Sequence, residues 1–148
     1  MTTVTLTAGD HIHDDEALLA LATQFGRDVD TGGRTLALTW LDAHDRLMPL
    51  VVPIDDIPEL PDEGFAPALA TVMAAPTQGA PDCGVVAILV RGGSPRVTAG
   101  DRAWNRVLRG QDSIRVRGVF VAAGGTVRPL ALDDAAWPAP SPTCLRPL

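Results

Sequence analysis

Three groups of residues have types and spacing that could carry chemistry. His11-Ile12-His13 sets two imidazoles two residues apart, followed at once by Asp14, Asp15 and Glu16. Neutral imidazoles beside carboxylates are competent transition-metal ligands, and His44, between Asp42 and Asp45, is a further donor. The plainer reading is that Asp14 caps a helix and that the residues around His44 make local turn hydrogen bonds. Gly92-Gly93-Ser94, flanked by Arg91 and Arg96, has the composition of a strand-to-helix turn that offers backbone N–H groups to an anion. It lacks the Lys-Ser/Thr pair of a nucleotide-binding loop, and neither Gly-x-Ser-x-Gly nor Gly-x-Gly-x-x-Gly occurs. The third group is a basic strip. Arg91, Arg96, Arg102, Arg106 and Arg109, with Arg115 and Arg117, face only Asp101 and Asp112, so residues 91–117 carry +5 while residues 1–90 carry −11. Such asymmetry marks a surface for an anionic or protein partner, or else a strip that neutralises the acidic half within the fold or in a homodimer.

The elements that must position these groups follow from periodicity. Residues 4–7 alternate and read as a short edge strand. Acidic residues open a first helix over 17–25, with Leu18, Leu21, Ala22 and Phe25 at helical spacing and Gly26 as its stop. Residues 34–41 and 47–54 are apolar and rich in β-formers around a turn of Asp42 to Asp45, which predicts a hairpin. Pro49 and Pro53 consign its second strand to an edge. An acidic loop precedes a second helix over 65–75, ended by Pro76. Residues 84–90 are apolar without alternation, the pattern of a central strand covered on both faces. Thr98 and Asp101 then form a Thr-x-x-acid capping box for a third helix reaching Leu108, with Ala103, Trp104, Val107 and Leu108 buried and Arg102, Arg106 and Arg109 outward. A second hairpin, 114–121 with 126–132, turns at Gly124-Gly125.

Composition sets the outer limits. A chain of 148 residues with 46% apolar content can bury one real core. One domain over residues 1–136 is expected, followed by a proline-rich tail over 137–148. No apolar run reaches the about 18–20 residues that cross a bilayer, and the first residues lack a signal-peptide pattern, which together predict a cytoplasmic protein with no membrane partner. Cys83 and Cys144 are too few and too distant for a disulfide framework or a cysteine-rich zinc site. Every basic residue is arginine. The strip has few aromatics for stacking on bases, with only Phe120 and Trp104 nearby and both expected in the core, so nucleic acid is a partner to consider but not the favoured one.

The stretch Leu36-Ala37-Leu38-Thr39-Trp40-Leu41-Asp42-Ala43-His44-Asp45-Arg46-Leu47 resembles the first hairpin of the JAB (MPN) domain in bacterial RadC proteins. In that family a helix follows, then an apolar strand ending in a His-x-His loop, a Ser-x-x-Asp at the next helix start and a closing hairpin. The resemblance covers roughly residues 34–131, with 85–90 as the strand and 98–108 as the helix. It implies an α/β (α+β) fold, a mixed sheet flanked by helices of JAB/MPN (cytidine-deaminase-like) architecture. The family's two histidines and aspartate hold zinc, and a glutamate from an earlier strand activates water. Counted back from Asp101 with Thr98 as the serine, the His-x-His falls on Ile88 and Val90; counted from the strand end, it falls on Arg91 and Gly93. Neither register supplies a histidine, and residues 47–54 contain no glutamate.

The expectation is therefore a domain without catalytic residues, cofactor or metal that acts by binding a protein partner or a second copy of itself. Two alternatives stand beside it. One is a metal-dependent hydrolase with a site rebuilt from His11, His13 and Asp101 or His44. The other is a nucleic-acid or phosphate binder using Arg91, Arg96, Arg102, Arg106 and Arg109.

Overall fold

The apolar run of residues 84–90 has no polar face to give to water, so it must lie between two layers, and everything else is arranged around it. The computed structural model describes residues 7–12, 14–28, 33–62, 64–79, 82–111 and 114–131. In chain order these form α1 (Asp15–Asp28), the hairpin β1 (Thr35–Leu41) and β2 (Leu47–Asp55), α2 (Phe65–Ala74) with a 3-10 turn Ala75–Gln78, β3 (Gly84–Val90), α3 (Ala99–Arg109), and the hairpin β4 (Arg115–Ala123) and β5 (Thr126–Pro129). The fold is mixed α+β. Its single five-stranded sheet has the order β2-β1-β3-β4-β5, which sets β3 at the centre. β1 is antiparallel to β2 and to β3, β3 is parallel to β4, and β4 is antiparallel to β5.

Alternation along the strands divides the core in two. On one face Leu36, Leu38, Val85, Ala87, Val119 and Val121 pack with Leu69 and Met73 of α2 and Trp104 and Leu108 of α3. On the other, Ala37, Val86, Ile88, Phe120 and Ala122 pack under Leu18, Leu21 and Ala22 of α1 and under Ile12. Two indoles fix the helices to this frame. Trp40 Nε1 donates to the Met73 carbonyl at 3.1 Å, Trp104 Nε1 donates to the Pro58 carbonyl at 3.0 Å, and Phe65 meets Trp104 edge to face at 5.1 Å.

Several sequence expectations change on contact with the fold. Asp14 does cap α1, accepting from Ala17 N at 2.8 Å, but the helix runs through Gly26 to Asp28. Pro76 ends α2 by tightening the chain into the 3-10 turn, where proline at an early position costs no donor. β2 is an edge strand, as its two prolines require. The turn of the last hairpin puts Gly124 at φ +58° and Gly125 at +78°, the left-handed pair that matches strand twist. β5 stops at Pro129, short of the expected residue 132. The expected strand at 4–6, the tail over 137–148, the boundary at 136, His13 and Cys144 lie outside the described residues. Among the described residues no helix is long and apolar enough to cross a membrane.

Candidate functional site

Arg91 follows directly on the central strand, and its side chain turns inward. Nε donates to Asp101 Oδ1 at 2.9 Å and Nη2 to Oδ2 at 2.7 Å, a two-pronged pair. Nη2 also donates to the Arg96 carbonyl, and Nη1 to the carbonyls of Gly92 and Ser94. All five N–H donors of the guanidinium are thereby used. The pair is buried, with side-chain exposures of 4% and 1%. Asp101 Oδ2 also accepts from Thr98 N, while Thr98 Oγ1 accepts from Asp101 N, so the capping box is complete and shares its carboxylate with Arg91.

The electrostatics follow from this geometry. Hydrogen bonding to Asp101 stabilises the charged form of Arg91 and raises its pKa, over the opposing cost of burial. At Asp101, burial is the largest influence and would raise the carboxyl. The hydrogen bonds from Arg91 and from the Thr98 backbone and hydroxyl, with the charge of Arg91, together outweigh it and hold the carboxyl below its ordinary value.

The arginine strip is thus not one surface. Arg91 leaves the set expected to bind an anion or partner because its strand-end position points it at the helix cap and every donor is taken. Arg109 also departs from the outward expectation. Its Nε donates to Asn105 Oδ1 at 2.8 Å and its Nη2 to the Leu130 carbonyl at 2.8 Å, folding the side chain over the end of the sheet. Arg115 and Arg117 converge on Asp45 in the β1–β2 turn, Arg117 in direct contact and Arg115 at 3.7 Å. Arg106 is exposed on the last turn of α3. Arg96 and Arg102 remain near the start of α3, and Arg128 of β5 joins them. With Val97 and Thr98 these three arginines line an open basin of about 560 Å³. None of the three forms an ion pair among the described residues.

α3 presents a stripe one residue away from the expected one. Gly100, Asp101, Trp104, Asn105 and Leu108 are buried, whereas Ala103 and Val107 are half-buried. The polar members shift the stripe because each has a hydrogen-bond partner, Asp101 in the buried Arg91 and Asn105 in the Ala131 carbonyl at 2.9 Å. Asn105 carried no sequence signal, since its acceptor lies 26 positions away.

His11 and His44 do not converge with Asp101. His11 bridges Arg46, and the neighbouring Leu47 pairs with Leu41, which pairs with Gly84 at the start of β3. Asp101 bonds Arg91 just past the other end of that strand. Seven residues of strand at about 3.3 Å each separate the two ends by roughly 20 Å, far beyond a shared ion with ligand bonds of about 2 Å. His44 is exposed in the β1–β2 turn beside His11's end, where its N–H donates to Asp42 Oδ1 at 2.8 Å. That bond and a second from Arg46 N lower the Asp42 carboxyl below its ordinary value. Among the described residues no group of three or more His, Cys, Asp or Glu is placed to hold a metal ion. Cys83 is buried, and desolvation raises its thiol pKa, the opposite of what a nucleophile needs.

Compared with known proteins, the chain matches no family model, no curated protein and no solved structure.

Proposed function

We propose that this chain is a non-catalytic binding domain related to the JAB domains of RadC proteins, in which a buried arginine has taken the place of the family's metal ion. The observation that carries the reading is the Arg91–Asp101 pair. Asp101, three residues after Thr98 at the start of α3, matches the family's ligating aspartate, and in the register counted from the strand end Arg91 falls on the first histidine of the His-x-His. A guanidinium supplies the same carboxylate with positive charge and fixed donors. It has no open coordination position and cannot ionise a bound water. The residues here do not fit a zinc ion, because both Asp101 oxygens are engaged and, among the described residues, no imidazole stands near them. The order of elements adds support: the hairpin β1–β2, α2, β3, α3 and the hairpin β4–β5 succeed one another as the resemblance implies.

A domain of this kind acts through its surfaces, on a protein partner or a second copy of itself. Strand addition at the β2 edge is disfavoured, because Pro49 and Pro53 lack the N–H groups that a ladder requires. The test is elemental analysis of protein purified without chelators, alongside Asp101→Asn. Far less than one zinc per chain in both is expected. One zinc per wild-type chain, lost in D101N, would overturn the reading.

A further inference from the structure

We propose that the basin formed by Arg96, Arg102 and Arg128 binds a phosphate or diphosphate group carried by a small molecule. This deepens the binding reading above by naming a ligand class, and it does not depend on any relation to the JAB domains.

The three arginines come from three separate elements, the β3–α3 loop, the first turn of α3 and β5, and they meet around one opening. Like charges gathered without an acid among them repel one another, and an anion relieves that repulsion. Glu59 packs against Gly100 of α3 and is not among the lining residues. The acids that balance the rest of the strip, Asp45 and Asp101, are already taken by Arg115, Arg117 and Arg91.

The loop that carries Arg96 is held by the Arg91 cage. Because Arg91 draws the carbonyls of Gly92 and Arg96 inward, the trans peptide plane turns the following N–H groups, those of Gly93 and Val97, away from it. Neither N–H has an acceptor among the described residues. Arg128 is steadied over the loop by a bond from Nη1 to the Pro95 carbonyl at 3.3 Å. Planar guanidinium groups around a rigid loop suit the several oxygens of a phosphoryl group.

The size of the ligand follows from the net charge of the chain and the volume of the basin. The whole chain carries a net −6, with −11 in residues 1–90 and +5 in residues 91–117, a balance that as a whole repels a long polyanion. A volume of about 560 Å³ suits a compact ligand.

The experiment is calorimetric titration of the full chain with inorganic pyrophosphate, with ADP, and with a short oligothymidylate, each at low and moderate salt. Pyrophosphate and ADP should bind, more weakly as salt rises. The double variant R102A/R128A should lose at least about tenfold in affinity, since it removes two charge-assisted contacts. R106A removes a single charge from the exposed side of α3 and should stay within about twofold of wild type, and R102A, which also removes a single charge, should lose more than R106A. The proposal is overturned if wild type binds neither phosphate compound at millimolar concentration. It is equally overturned if R106A and R102A/R128A lose affinity alike, which would mean diffuse attraction, or if the oligothymidylate binds more tightly than either small ligand. Circular dichroism of each variant separates lost binding from lost folding. Zinc content is untouched by these substitutions, so failure here and failure of the non-catalytic reading are told apart.

Discussion

Arg91→Lys separates the two things that Arg91 supplies to the β3–α3 turn, charge and geometry. Lysine keeps the charge next to Asp101. Arginine makes five hydrogen bonds from three nitrogens, to both Asp101 oxygens and to the carbonyls of Gly92, Ser94 and Arg96. A lysine ammonium has three protons on one nitrogen, so at least two of these acceptors lose their donor. A hydrogen bond to a charged group contributes about 1.5–3 kcal/mol, and the loop carbonyls are partly open to water, so the lower end applies to them. The expected loss is about 2–4 kcal/mol, a large share of the roughly 5–15 kcal/mol that a domain of this kind has in total. At about 2–4 °C per kcal/mol, the melting temperature should fall by roughly 5–15 °C. Urea unfolding followed by tryptophan fluorescence reads this directly, because Trp40 and Trp104 are both buried. Arg91→Met, which also strips the charge and leaves the buried Asp101 carboxylate without its counter-charge, should lose more, about 3–5 kcal/mol. If R91K unfolds within about 1 kcal/mol of wild type, the arginine acts as a charge alone, and the rigid loop on which the phosphate site depends has no basis.

Two further outcomes test the same end of the sheet. The Asp101 carboxyl lies below its ordinary value in the folded protein, so its contribution is fully present above an unfolded carboxylate pKa of about 4 and is lost as pH falls through the folded value. Wild-type stability should therefore drop more steeply below about pH 4 than that of Asp101→Asn; parallel curves from acid titration of the two proteins would remove Asp101 as the cause. Gly100→Ala would bring a methyl group to 2.5 Å from the Glu59 carbonyl oxygen. It should cost about 1–3 kcal/mol in urea unfolding even though alanine is the better helix former, and an unchanged or raised stability would mean that the chain around Glu59 yields freely.

The parts of this fold that depend on local pattern were legible in the sequence. Unbroken apolar character put residues 84–90 at the centre of the sheet, two prolines put β2 at its edge, and Thr98 with Asp101 announced the cap of α3. The parts set by distant partners were not. An arginine after an apolar strand reads as the point where the strand meets water, and nothing nearby says that Asp101, ten positions on, will draw it inward. Arg109 reads as outward from its place on α3, yet its acceptor is a carbonyl 21 positions away. Arg128 lies outside the basic strip of residues 91–117. It becomes part of a site only because β5 lies beside β4, which brings it against the Pro95 carbonyl. Gly26 gave a false stop, since one glycine inside a helix costs only about 1 kcal/mol and α1 recovers that by packing.

The sequence posed the arginine strip as a choice between internal neutralisation and a face for a partner, and the fold pairs Arg91, Arg115 and Arg117 with acids while Arg96 and Arg102 form no ion pair among the described residues. Depth decides which. Arg91 cannot be buried without a carboxylate, so Asp101 goes in with it, and Arg115 and Arg117 meet Asp45, an acid from the negative half of the chain. These pairings remove part of the strip's charge, but at opposite ends of β3, and one of them does more than cancel. By spending its remaining donors on loop carbonyls, Arg91 fixes the direction of the peptide planes that carry Arg96 to the surface. The neutralised arginine thereby builds the scaffold on which the unneutralised ones stand. A metal ion bound to Asp101 would have no donors to give to those carbonyls, whereas the guanidinium both holds the carboxylate and shapes the loop.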